Sequence, residues 1–142
     1  MTNPEQPTVL LAEDDPNDLL FFKRAICKAN LAISLQVVEN GVEAVKYLMG
    51  EDSYADRESY PLPRLIITDI KMPLMNGFEL LAWVKQQPDL QYIPVAVMSS
   101  SEEAAKRNQA TALGASSYLL KSVSFDALVE NVGVVLKVVT TV

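Results

Sequence analysis

Five short apolar runs alternate with longer segments of helical period, and that alternation constrains the fold more than any other feature of the chain. TVLLA (8–12), SLQVV (34–38), RLIIT (64–68), IPVAVM (93–98) and ASSYLL (115–120) are mostly rich in Val, Ile and Leu. They read as strands covered on both faces. Between the first two, Leu19, Phe22, Ile26 and Ala29 recur at i, i+3, i+7 and i+10. Phe125, Leu128, Val129, Val132, Val135, Leu136 and Val139 form a stripe along the last segment. Asp15 suits a helix N-cap, Pro16 the first helical position, and Asp18 the positive end of the helix dipole. Gly41 and Gly77 open further helical segments, and Gly114 has the place of a helix-terminating left-handed residue. Strand then helix, repeated, predicts a parallel sheet with helices on both faces, joined by right-handed crossovers.

A chain of 142 residues suffices for one domain with a real core, so a single domain over 1–142 with its core at about 7–140 is expected. The polar, proline-flanked stretch GEDSYADRESYPLP, residues 50–63, is long for a helix-to-strand connection and reads as either a functional or a mobile loop. The net charge of −6 argues against nucleic acid and against an anionic membrane surface as partners. No apolar run approaches the roughly 20 residues of a membrane span. The start, MTNPEQP, lacks the pattern of a signal peptide. The one cysteine, Cys27, reads as a small core residue in a reduced, cytoplasmic protein. There are no histidines, which removes His-based metal sites, Ser-His-Asp triads and His general bases together.

The remaining chemistry belongs to strand ends. Glu13 and Asp14 follow the first strand, and Asp69 ends the third. In the flavodoxin-like strand order 2-1-3-4-5 these two strands are neighbours, and ligands bind beyond their carboxyl ends. Three crowded carboxylates need a cation or protons, and hard oxygens without His or Cys favour Mg²⁺. Ser99, Ser100 and Ser101 follow the fourth strand and Lys121 the fifth. Acid, hydroxyl, lysine and metal around one carboxylate make a phosphoryl-handling site with that carboxylate as nucleophile. Each piece alone has a bland alternative: a strand-end acid is usually a cap or a solvated turn residue, serines mark turns, and lysines face water. Asp15 is best read as a cap. Four strand ends that deliver complementary groups to one rim are harder to ascribe to accident.

Taken in order, LLAEDDPND, ENGVEAV, IITDIKMPLMNGFELL, IPVAVMSSS and LGASSYLLKS resemble the receiver domains of two-component response regulators, over nearly the whole chain. The resemblance implies that Asp69 accepts a phosphoryl group from a histidine of a sensor kinase. It implies Mg²⁺ held by Asp14 and Asp69, by Glu13 through water, and by the Lys71 main-chain carbonyl. Ser99 matches the switch hydroxyl that bonds the phosphoryl group, Lys121 the lysine that pairs with it, and Tyr118 the aromatic switch, with a plain sheet-edge aromatic as the alternative for Tyr118.

Three departures accompany the resemblance. Ser122 stands where the family usually has a cis proline, so either Lys121 precedes a strained bond or the loop differs. Lys71 lies two residues after the acceptor, which implies altered autodephosphorylation. The chain ends soon after the last helix, so no output domain is expected. The 50–63 loop, the Lys121–Ser122 pair and the expected lack of an output domain together resemble stand-alone regulators paired with bacterial phytochrome-type kinases. The implied function is a phosphorylation-dependent binding module that is not a turnover enzyme. Its fourth helix, fifth strand and fifth helix would face an unknown downstream partner or a second copy. Two alternatives differ in kind: a pseudo-receiver that signals without phosphate, and a magnesium-dependent phosphatase with an aspartyl nucleophile. The phosphatase usually has an acid two residues after its nucleophile, where this chain has Lys71.

Overall fold

The computed structural model describes residues 6–100, 104–121 and 124–140. Strands β1 (Thr8–Ala12), β2 (Ser34–Val38), β3 (Leu65–Asp69), β4 (Val95–Ser99) and β5 (Ser117–Leu120) alternate with helices α1 (Pro16–Ala29), α2 (Gly41–Met49), α3 (Gly77–Gln86), α4 (Ala104–Ala112) and α5 (Phe125–Thr140). The sheet is parallel with order β2-β1-β3-β4-β5, as the alternation predicts. Each strand lies within two residues of its apolar run. The registers Ala12↔Thr68, Asp69↔Met98 and Ser99↔Leu120 bring the carboxyl ends of β1, β3, β4 and β5 to one rim.

Strand alternation divides the core in two. Leu10, Ala12, Ile66, Val95 and Val97 pack on one face with Tyr47 and Leu48 of α2 and Leu80, Leu81 and Val84 of α3. Val9, Leu11, Ile67, Ala96, Met98 and Leu119 face the other side, against Phe22 and Ala25 of α1 and Leu128, Val132, Leu136 and Val139 of α5. The predicted stripe of α5 is therefore the buried one.

Cys27 departs from expectation: it is exposed. In α1 the buried positions are Phe22 and Ala25. Five residues beyond Phe22, at about 100° per residue, Cys27 is turned some 140° away from it. An apolar neighbourhood in sequence is no guide to helical phase.

Residues 50–63 also differ from a mobile loop. They hold a short 3₁₀ turn, Asp52–Ala55, and fold back on α2. Tyr54 and Tyr60 pack on the buried Tyr47 with ring centroids 5.1 and 5.9 Å away. The Arg57 guanidinium donates to the carbonyls of Tyr47 and Leu48, both at 2.8 Å, and of Tyr60 at 3.1 Å. Arg57 thereby caps the C-terminal end of α2, where free carbonyls and the dipole favour a cation. Tyr47 in turn donates from its hydroxyl to the Pro61 carbonyl at 2.8 Å.

The segment after β3 is fixed by close approach. A Cβ at Gly77 would run into the Asp69 carbonyl oxygen, and one at Gly41 would lie 2.7 Å from Met75. The Gly77 N–H donates to the Ile70 carbonyl at 2.9 Å. The start of α3 therefore sits directly against the end of β3, with Asn76 and Glu79 forming a capping box.

Candidate functional site

Each strand of the rim contributes a side chain. Where β1 ends, Glu13 continues the pairing through its N–H to the Val38 carbonyl at 3.0 Å, and its side chain turns inward, 2% exposed. Asp14 is exposed, and Asp15 caps α1 by accepting from the N–H groups of Asn17 and Asp18, as expected. At the end of β3, Asp69 is nearly buried, and so is Ser99 at the end of β4. Carboxylate oxygens of Glu13, Asp14 and Asp69 lie within 4.8 Å of one another. The acids do meet.

Lys121 leaves β5 with its N–H on the Ser99 carbonyl at 2.8 Å and sends its ammonium into the acids. Nζ lies 2.8 Å from Asp69 Oδ2, 2.8 Å from Asp18 Oδ2 and 2.6 Å from Glu13 Oε1. The first two are hydrogen bonds; the third is an ionic contact without hydrogen-bond alignment, and Glu13 Oε1 is a buried oxygen with no hydrogen-bond partner. Burial alone would lower the Lys121 pKa, yet the Asp18, Asp69 and Glu13 contacts outweigh it and the net shift is upward. The lysine stays charged. For Glu13 burial wins: it pushes the carboxyl up to about 7, with the Asp69 charge adding to the rise and Lys121 opposing it.

The acids open into a cleft of about 230 Å³ lined by Asp14, Asp69, Lys71, Ser99, Lys106 and Lys121, among others. Lys71 is exposed at its edge. Tyr118 is half-buried on β5 under α4, with the Arg107 guanidinium carbon 4.7 Å from its ring centroid. Ser101 and Ser122 lie outside the described residues, so the bond after Lys121 is not among those described as trans.

Sequence reasoning missed the part played by Asp18. The sequence places it as a first-turn acid on the helix dipole, but its carboxylate bonds an ammonium 103 residues away. Lys106, in the cleft lining, was not singled out either. Only the packing of α1 and α4 against the sheet reveals these two.

An oxygen-only cluster of three carboxylates, with no His or Cys among them, fits a hard divalent cation. Among the described residues, no helix is long and apolar enough to cross a membrane.

Comparison with known proteins agrees with this fold. The response regulator Rcp1 of Synechocystis sp. is 31% identical over 121 residues, covering 85% of this chain and 80% of that protein. Response regulator RPA3017, described in red light signaling of R. palustris, superposes with a TM-score of 0.86 at 28% identity, covering 92% of each chain. The phosphorylated cyanobacterial phytochrome response regulator RcpA gives 0.84 at 28% identity, over 96% of this chain and 95% of its own. The Mn²⁺-bound form of Rcp1 gives 0.81 at 29% identity, over 96% of each chain. The family profile for the response regulator receiver domain matches residues 9–133, and the chain belongs to that family of two-component signalling proteins.

Proposed function

We propose that the protein accepts a phosphoryl group on Asp69 from a histidine of a sensor kinase, in a Mg²⁺-dependent step, and thereby switches its binding to a partner. The observation that carries this reading is the Lys121 ammonium 2.8 Å from Asp69 Oδ2, beside a cluster of three carboxylates. Glu13 (through water), Asp14, Asp69 and the Lys71 main-chain carbonyl would hold the cation, whose charge neutralises phosphoryl oxygens when it is bound. Asp69 supplies the nucleophilic oxygen: a P–O bond forms to its carboxylate as the P–N bond to the donor imidazole breaks, and the imidazole takes up a proton. Lys121 pairs with the transferred group, and the Ser99 hydroxyl, at the adjoining strand end, is drawn to it. Tyr118, packed below α4, follows Ser99 inward and remodels the surface of α4, β5 and α5.

A domain of this kind transfers the group to itself and does not turn over substrate. Its likeness to RPA3017, described in red light signaling, and to the phytochrome response regulator RcpA favours a phytochrome-type kinase as donor, and the setting we infer is cytoplasmic. The face of α4, β5 and α5 would take the downstream protein or a second copy. Intact mass after incubation with Mg²⁺ and acetyl phosphate tests the assignment. The expected result is one added phosphoryl group in the wild type, and none in Asp69→Asn or with the metal chelated. A wild type that gains nothing while binding Mg²⁺ would overturn it.

A further inference from the structure

The cage around Lys121 contains one acid that the cation cluster does not use. An ammonium has three donors, and three carboxylates surround this one: Glu13, Asp69 and Asp18. Glu13 and Asp69 belong with Asp14 to the cluster that fits a divalent cation; Asp18 does not. It comes from a different element, the first turn of α1.

An acid in that turn is favoured by the helix dipole wherever the helix lies, and such an acid normally points to water. Asp18 does otherwise. Its Oδ2 accepts a hydrogen bond from Lys121 Nζ at 2.8 Å, in the same cage that holds Asp69. The backbone beneath it is fixed: its N–H donates to Asp15 Oδ1 at 3.3 Å, the Asn17 N–H does so at 2.8 Å, and Pro16 presets the turn. Its carboxylate is therefore carried by a rigid element, whereas the lysine stem has four rotatable carbons and would otherwise sample many rotamers. Lys121 keeps only 14% of its side chain exposed, against 43% for Asp18, so the acid approaches from the solvent side and closes the cage.

We infer that Asp18 is a positioning residue for Lys121: it holds the ammonium beside Asp69 from the α1 side, independently of the carboxylates that a cation engages. The inference rests on the proposed phosphoryl chemistry for its consequence but not for its geometry. With Glu13 and Asp69 engaged elsewhere, Asp18 remains the acceptor that orients the lysine toward the acceptor oxygen.

The two layers are tested separately on the full chain. Without metal or phosphoryl donor, the ¹H–¹⁵N signal of the Lys121 ammonium, identified by its loss in Lys121→Met, reports the cage. The wild type should show a resolved, slowly exchanging signal. In Asp18→Asn its exchange with water should accelerate roughly 10-fold, the scale of losing an outer-shell partner, and Asp18→Glu should restore part of the protection. A wild type without such a signal, or an Asp18→Asn variant with unchanged exchange, overturns the inference.

Phosphorylation by acetyl phosphate gives the second arm. Asp18→Asn should lower the rate at saturating Mg²⁺ by roughly 10-fold while the half-saturating Mg²⁺ concentration stays within about twofold. An unchanged saturating rate with a shifted Mg²⁺ requirement would mean that Asp18 acts on the metal as a bare charge, and the inference fails. If the wild type itself is not phosphorylated, the proposed function fails, and the ammonium exchange still decides the cage.

Discussion

Two polar clusters in this molecule handle buried groups in opposite ways. In residues 50–63, the strap over α2, the Arg57 guanidinium meets three carbonyls and the Tyr47 hydroxyl meets a fourth, so the groups brought inside find partners. At the rim, Glu13 is as deeply buried as Tyr47, yet its Oε1 meets only the Lys121 ammonium, without hydrogen-bond alignment, and its carboxyl is pushed up to about 7. Satisfied polar networks contribute stability; a buried carboxyl beside a second carboxylate, with its pKa raised, costs stability when it is charged. The strap holds the fold, whereas the rim carries an electrostatic cost.

The sharpest way to break this contrast is to empty the strap. Arg57→Ala removes a charged donor from three carbonyls and uncovers the end of α2, and it should cost about 2–3 kcal/mol in urea denaturation. Phosphoryl acceptance should be retained at temperatures where the variant is folded, because Arg57 touches nothing at the rim. A loss below about 0.5 kcal/mol would mean that water replaces the guanidinium freely, and the strap would not be the structural member of the pair.

At the rim the sign reverses. The Glu13 carboxyl titrates near 4.5 when unfolded and near 7 when folded, so between these values the folded state binds the extra proton. In metal-free protein its contribution therefore falls as pH rises from about 4.5 to 7 and stays low above that. Glu13→Gln should flatten this slope and, at pH 7.5 with a chelator, raise stability by on the order of 1 kcal/mol. The same variant should weaken Mg²⁺ binding. Comparing denaturation at pH 5, 6 and 7.5 with and without the substitution isolates the effect. A wild type as stable at 7.5 as at 5, relative to the variant, would show that Lys121 fully compensates the buried charge.

The rim was legible in the sequence and the strap was not, for physical reasons. Strand ends show as breaks in apolar runs, and the parallel order brings Glu13, Asp69, Ser99 and Lys121 to one side once the alternation is recognised. That is a one-dimensional signal. The strap depends on Tyr54 and Tyr60 finding Tyr47, and on Arg57 finding the last carbonyls of a helix already formed. In the sequence those residues are scattered through a polar segment whose composition reads as loop. Cys27 and Asp18 fail in a related way. Both depend on the rotation of α1 about its axis, which the Leu19, Phe22, Ile26 stripe indicates for the core and which fixes the polar positions only together with the sheet it packs on. Worked through, that phase would have turned Cys27 outward; Asp18 needed in addition the height of Lys121 at the end of β5.

The smallest test separates packing from hydrogen bonding within the strap. Tyr54 packs its ring 5.1 Å from both Tyr47 and Tyr60 and donates from its hydroxyl to Glu43 Oε2 at 3.1 Å. Partial burial, with that acceptor and the Glu43 charge beside it, raises the pKa of its hydroxyl, so the group stays protonated and donating throughout the neutral range. Tyr54→Phe keeps the ring and removes only the donor. If ring packing holds the strap, the loss should be about 0.5 kcal/mol, the low end for one partly exposed hydrogen bond. A loss near that of Arg57→Ala would instead make Glu43 an essential member of the network. Losing this one donor to a carboxylate that Lys46 also pairs would then cost what leaving three carbonyls uncapped costs, and the strap would resemble the rim in resting on a charge.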